Sequence, residues 1–369
     1  MYPTVHSGSC APSTRNLSSL AAVFAGSLTD MEGLFNVHQW VWILGSFLLS
    51  ASVTWLSIRY AYRRNLVDHP GQRRSHATPT ARGGGIGIVL ACVAFFVPPL
   101  FAVYPGATGA AAAILFGLII VAAVGWWDDH FGLSALVRVV VHLLAATLLA
   151  VALLGSDGLM AVCVFALFTA WSINLHNFMD GIDGLLGTQA LFVFVVLGCF
   201  GSSYAQPEYA LPMWVAAAAT LGFLPFNFPR ASVFMGDVGS GALGFLIAAA
   251  IGLGLDFGLL VPTQALVLVS AFLIDASCTL ASRIVRGRRW YSAHREHLYQ
   301  WLARGMSHPR VVLLYGAWNL LVVAPALLLL ECTEDYDAAI LGAVYAFGVV
   351  VWLYGKRWCR YRVKSRHHA

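Results

Sequence analysis

From residue 38 onward the chain is a succession of apolar runs of about twenty residues, the length an α-helix needs to cross a bilayer, separated by short polar loops. Inside hydrocarbon the backbone has no water to bond, so such runs fold as helices that satisfy their own N–H and C=O groups. The expected fold is therefore all-α and polytopic, with about 11 transmembrane helices. The expected spans are 38–58, 85–104, 109–127, 134–154, 159–176, 185–204, 211–227, 239–255, 260–281, 311–330 and 338–355. A soluble globular fold is excluded, because 59% of the 369 residues are hydrophobic, only 11% are charged and the mean hydropathy is +0.75.

Three segments follow: a polar, Ser-rich and disordered stretch at 1–36, a membrane-embedded domain at 37–355, and a basic cytoplasmic tail at 356–369. The first stretch lacks the basic start, apolar core and small-residue cleavage site of a signal peptide. Met31, just ahead of the first run, is a second candidate start. The seven cysteines show no metal-ligand spacing and read as structural. An odd number of spans puts the termini on opposite sides. With the N-terminus outside, every one of the 22 Lys and Arg residues except Arg15 falls at the cytoplasmic side, which is the bias that orients membrane proteins.

The acids sort as well. Asp157, Glu208, Asp256, Glu331, Glu334, Asp335 and Asp337 fall at outer loops and read as a solvated surface, whereas the inner acids sit inside motifs. Asp128 and Asp129 emerge where the third span meets the cytoplasm. Adjacent carboxylates there call for a divalent metal or a basic substrate group, simple solubilisation of the helix end being the competing reading. In Asn174-Leu175-His176-Asn177-Phe178-Met179-Asp180-Gly181-Ile182-Asp183-Gly184 the acids Asp180 and Asp183 share a helical face, and the glycines let backbone approach a ligand. In Phe234-Met235-Gly236-Asp237-Val238-Gly239-Ser240 another acid opens a helix, where free N–H groups favour an anion. A cationic loop with His294, Arg295 and His297, and a first loop with Arg73 and Arg74, suit a polyanionic substrate. A collar for anionic lipid headgroups is the alternative reading of these arginines. His130, His142, His176 and His308 read as packing or surface residues.

With these motifs the chain resembles the polyprenyl-phosphate N-acetylhexosamine-1-phosphate transferase superfamily, to which WecA and MraY belong, over about residues 60–310. The matching segments are DxPxxRRxH at Asp68 to His76, the pair Asp128-Asp129, NxxNFMDGIDG at Asn174 to Gly184 and FMGDVGS at Phe234 to Ser240. The resemblance implies an enzyme at the cytoplasmic face of the bacterial inner membrane. It would move an N-acetylhexosamine-1-phosphate from a UDP-sugar to undecaprenyl phosphate with Mg²⁺, or Mn²⁺, and release UMP. It implies Asp128, Asp129 and His297 as catalytic residues and Asp237 with Asp129 as metal ligands. Asn174, Asn177, Asp180, Asp183, Phe234, His294, Arg295, Arg73 and Arg74 would bind substrate, Asp183 and Phe234 at the uracil. The partners implied are the lipid bilayer and, since family members include dimers, a second copy of the chain; no nucleic acid is expected. The family's DRxHxHH segment reads His294-Arg295-Glu296-His297-Leu298-Tyr299-Gln300 here. That form looks like the WbpL-type branch, which implies a deoxy-N-acetylhexosamine and O-antigen initiation. Two rivals stay in view. A secondary transporter would place acids near the midplane, and Asp275 is the one acid that suits it. A CDP-alcohol phosphatidyltransferase would carry DGxxAR, which is missing after Asp180-Gly181.

Overall fold

The computed structural model describes residues 37–68, 79–103, 108–289 and 294–366; the N-terminal segment 1–36, Arg73 and Arg74 lie outside them. The chain runs α1 (Val37–Arg64), a hairpin of β1 (Val67–Asp68) against β2 (Thr80–Ala81), then α2 (Ile86–Ala91), which passes through a π-helical turn (Cys92–Phe96) into α3 (Val97–Val103). There follow α4 (Thr108–Phe131), α5 (Ala135–Leu154), α6 (Leu159–Met179), α7 (Leu185–Ser203), α8 (Pro207–Asn227), α9 (Asp237–Asp256), α10 (Pro262–Leu268) and α11 (Ser270–Val285). The last elements are α12 (Leu298–Ala303), α13 (His308–Trp318), a second π-helical turn (Asn319–Val323), α14 (Ala324–Cys332) and α15 (Asp337–Arg366).

All eleven expected runs are helical, so the all-α polytopic architecture holds. Among the described residues nine helices are long and apolar enough to span, and α10 with α11, bent by 77°, make a tenth if counted as one. The second expected span is the exception: it is broken by the π-helical turn, and its stretch Ile86–Phe101 is apolar but shorter than those nine. At the far end α15 runs unbroken to Arg366, so the basic residues from 356 onward continue the last helix, and Lys356 is buried against Trp301 and Trp352.

Without a hydrophobic force between helices in lipid, small residues and side-chain hydrogen bonds hold them together. The first helix shows this directly. Its buried stripe is Ser46, Ser50, Thr54, Ser57 and Ala61, while Val41, Leu44, Leu48 and Leu56 face outward. Ser46 and Ser50 donate to the carbonyls of Val215 and Ala219 on α8, at 3.0 and 2.6 Å. At the centre stands α9, rich in Gly and Ala and 94% buried over its apolar window, compared with 17% for the outermost helices α1 and α15. It packs between α4 and α6. Ser172 of α6 donates to the Gly244 carbonyl at 2.7 Å, and a Cβ at 244 would lie 2.6 Å from the Ser172 carbonyl oxygen.

One outer acid departs from the expected solvated surface. Glu331 is 5% exposed and accepts hydrogen bonds from the Tyr204 hydroxyl and the Gln264 amide. It ties α7, α10 and α14 together, because a carboxylate that ends a span facing inward must find donors there.

Gly244→Ala should therefore destabilise the protein by about 1–3 kcal/mol through overpacking. Gly316→Ala, at a helical site with no atom within 4 Å of the new Cβ, should be neutral or stabilise by roughly 0.5 kcal/mol. Thermal unfolding of the two variants in detergent checks the contrast; equal melting temperatures would refute the close approach.

Candidate active site

The three acidic motifs meet at one end of the bundle. Asp128 and Asp129 lie in the last turn of α4. Gly125, one turn earlier, lets α4 touch the start of α9: a Cβ there would lie 2.3 Å from the Asp237 carbonyl oxygen. Gly236 enters α9 at φ +75°, and a Cβ on it would lie 2.5 Å from an Asp129 carboxylate oxygen. Asp129 is thus seated on the open end of α9. Its two oxygens accept from Asp237 N–H at 3.0 Å and Val238 N–H at 3.1 Å, and Arg82 Nε stands 2.9 Å away. The anion expected at this helix N-terminus is present, but it belongs to the protein, and it complements the unpaired N–H groups and the helix dipole.

Two arginines interleave with the carboxylates. Arg82 bridges Asp129 and Asp237, its Nη2 standing 3.3 Å from Asp237 Oδ1. Arg138 comes from α5, which starts directly after the turn that ends α4. Its Nη1 donates to Asp128 Oδ2 at 2.7 Å and to Asp237 Oδ2 at 3.1 Å. The strand β2 holds Arg82 in place. Phe234 N–H donates to the Ala81 carbonyl at 2.8 Å, and the N–H groups of Gly84 and Gly85 donate to the carbonyls of Phe234 and Met235, both at 2.9 Å. The glycine run is thereby structural, a tight seam between two loops.

Asp180 ends α6. Burial, then the Asp237 and Asp129 carboxylates, push its carboxyl up to about 8. Asp180, Asp237 and Arg82 border a polar cleft of about 250 Å³ whose lining also includes Asn177, Asn227, Phe234 and Arg295. Asn177 donates to Ser240 Oγ at 3.0 Å. Asn227 joins the two Gly-rich motifs, accepting from Gly184 N–H at 2.8 Å and donating to the Val233 carbonyl at 2.9 Å.

Other expected site residues sit behind the lining. Asn174 donates to the Ala170 carbonyl within its own helix, at 2.7 Å. The Asp183 carboxylate accepts from Ala231 N–H at 3.2 Å and pairs with His308 Nδ1 at 3.2 Å, so His308 is not the bystander its sequence context suggested. His297 is 4% exposed, stacked between Phe178 and Tyr299. Burial lowers its pKa, and burial together with His297 and Arg283 pushes the neighbouring His294 down to about 4, so both imidazoles are neutral at pH 7. The glycines of the motifs also serve the fold: Gly181 makes room for Tyr299, and Gly236 for Asp129. Among the described residues no group of three His, Cys, Asp or Glu side chains is gathered as a metal site. Asp128 Oδ2 and Asp237 Oδ2 nonetheless flank the same Arg138 nitrogen, and such a pair of hard oxygen donors fits a Mg²⁺ ion completed by phosphate oxygens and water.

The sequence model of glycosyl transferase family 4 matches residues 111–254, which hold the Asp128-Asp129 pair and both Gly-rich motifs. Decaprenyl-phosphate N-acetylglucosaminephosphotransferase of Mycobacterium tuberculosis is 30% identical, over 78% of this chain and 82% of that protein. A probable undecaprenyl-phosphate N-acetylglucosaminyl 1-phosphate transferase of Bacillus subtilis is 29% identical, over 73% and 78% of the two chains. The undecaprenyl-phosphate alpha-N-acetylglucosaminyl 1-phosphate transferase of Escherichia coli K12 is 26% identical, over 78% and 81%.

Replacing Asp129 by Ala removes the acceptor for two buried N–H groups and a partner of Arg82. The expected loss of stability is about 2–4 kcal/mol, and Asp129→Asn, which keeps one acceptor oxygen, should lose less. Unfolding in detergent measures both; an Ala variant as stable as the parent would show that α9 is not capped this way.

Proposed function

The chain belongs to glycosyl transferase family 4, and on that premise we propose that this membrane phosphotransferase moves an N-acetylhexosamine-1-phosphate from a UDP-sugar to undecaprenyl phosphate. The observation that carries this reading is the convergence of Asp128, Asp129, Asp180 and Asp237 with Arg82 and Arg138 beside one polar cleft. An oxygen of the lipid phosphate attacks the β-phosphorus of the donor. A new P–O–P link forms, the bond from the β-phosphorus to the bridging oxygen breaks, and UMP leaves with that oxygen.

A phosphate monoester, with a second pKa near 6, is already largely ionised at neutral pH. Positioning and cancellation of charge are therefore most of the task. Arg82 and Arg138 present planar forks whose geometry matches phosphate oxygens. Asn177, Asp180 and Arg295 receive the polar parts of the donor, and Phe234 offers uracil an aromatic face, with Asp183 braced by His308 behind the cleft. Asp128 and Asp237 would hold Mg²⁺, or Mn²⁺, and the ion would neutralise charge on the bridging and leaving oxygens. An apolar cavity of about 550 Å³, walled by Trp318, Trp352 and Trp358, suits hydrocarbon of the acceptor. Arg73 and Arg74 add positive charge for the diphosphate. The product would start an envelope glycan, O-antigen among the candidates. The site faces the cytoplasm, with the N-terminus outside and the C-terminus inside.

In detergent with Mg²⁺ and undecaprenyl phosphate, the protein should release UMP from UDP-N-acetylglucosamine, UDP-N-acetylfucosamine or UDP-N-acetylquinovosamine and place sugar in the butanol-extractable lipid. Chelation should abolish this, and Asp237→Asn should lower kcat by about 10²-fold or more. Folded protein that releases no UMP from any of the three donors would refute the reading. In intact spheroplasts an impermeant reagent should label a tag at the N-terminus and not one at the C-terminus; labelling of neither or of both would mean that Ile86–Phe101 fails to cross.

A further inference from the structure

Asp275 lies in α11, 2% exposed. Its carboxylate accepts five hydrogen bonds: from Thr279 Oγ1 at 3.2 Å, Leu298 N–H at 2.7 Å, Tyr299 N–H at 3.2 Å, the Tyr315 hydroxyl at 2.7 Å and Trp352 Nε1 at 3.0 Å. An isolated carboxylate would be costly at this depth, and these donors offset the lost water. They come from α11, α12, α13 and α15, so one side chain fixes four elements. The transporter reading of this acid needs exchangeable ligands, and its oxygens are instead committed to the fold.

The bonds to Leu298 and Tyr299 seat the start of α12, and with it the segment that carries Arg295 into the cleft. Tyr299 passes the constraint on. It is fully buried, its hydroxyl donates to the Phe178 carbonyl at 2.8 Å, and a Cβ at Gly181 would lie 2.2 Å from that hydroxyl. Phe178 stands between Asn177 and Asp180, which line the cleft together with Gly181, Ile182 and Arg295. Neither Asp275 nor Tyr299 is among the residues that line this cleft, and Asp275 borders the apolar cavity instead, so Tyr299 is the cleaner probe of the donor side. Tyr299, one of the positions where this chain departs from the DRxHxHH pattern, therefore faces the protein interior, away from any sugar in the cleft.

We propose that Asp275 and Tyr299 are positioning residues for the donor: the buried carboxylate seats the Arg295 segment through its backbone, and the Tyr299 hydroxyl ties that segment to the Asn177–Ile182 wall. The inference rests on the transferase reading above, with the UDP-sugar in this cleft.

The test uses the full chain in detergent, measuring the Kd of UDP-N-acetylglucosamine and the KM of each substrate. Tyr299→Phe removes one hydroxyl and leaves the Phe178 carbonyl without its donor. It should raise the donor Kd and KM about tenfold and lower the melting temperature by a few degrees, and leave the KM for undecaprenyl phosphate unchanged. Asp275→Asn should act in the same direction. Gly181→Ala should be less harmful in the Tyr299→Phe background than alone, since the contact it violates is then gone. Unchanged donor Kd and KM in Tyr299→Phe, or equal rises in both KM values, would overturn the proposal, and this variant decides by itself if Asp275→Asn does not fold. A parent protein that binds none of the three UDP-sugars would instead overturn the transferase reading, and the inference with it.

Discussion

Carboxylates at the end of a membrane helix repel one another in a medium that screens poorly, and one end of this helix bundle is organised around that constraint. Asp128, Asp129 and Asp237 stay together because Arg82 and Arg138 stand between them, each guanidinium shared by two acids. Removing either cation would leave partly buried negative charge without a partner, a larger loss than the pair's own net worth. The arrangement also sets α4, α5 and α9 at fixed mutual positions, since the charges belong to the ends of those helices and Arg82 to the loop that enters α2.

Such an arrangement needs helix ends that approach more closely than ordinary side chains permit. Gly125 lets α4 meet the backbone of Asp237, and Gly236 turns the chain at positive φ so that Asp129 fits under it. In lipid the same property that admits close backbone contact also supplies the cohesion between helices. Packing around α9 and placement of the acids are therefore one physical problem. The central helix is at once the most enclosed span and the bearer of Asp237.

Membrane physics made much of the fold legible in the sequence. A run that must satisfy its own backbone for some twenty residues announces itself, and all eleven runs are helices. The π-helical turn inside the second run was not legible, because hydropathy reports apolar length and not the local winding of a helix. In the site, the bracketed acids were visible as chemistry. The arginines were not, because any basic residue on the inner side already has a topological explanation, so Arg82 and Arg138 looked like members of a general bias. The pairing of Asp183 with His308 spans 125 residues, and no local pattern reports it. Glu331 reads as surface in the sequence, since a span boundary set by hydropathy says nothing about which way its last residue points.

Two carboxylates perform the same operation at different places. Asp129 of α4 accepts from the first N–H groups of α9, and Asp275 of α11 accepts from those of α12. An open helix start attracts anions in general, and left open beside the cleft it would draw any anion that entered without orienting it. Once a side chain from another helix takes that place, the start becomes a fixed joint. The ligand then meets the groups that remain at the cleft surface, Asp237, Asp180, Asn177 and Arg295, together with the outward reach of Arg82 and Arg138. Acids adjacent in sequence are thereby divided by direction alone: Asp129 turns in to hold the start of α9, and Asp128 turns toward Arg138.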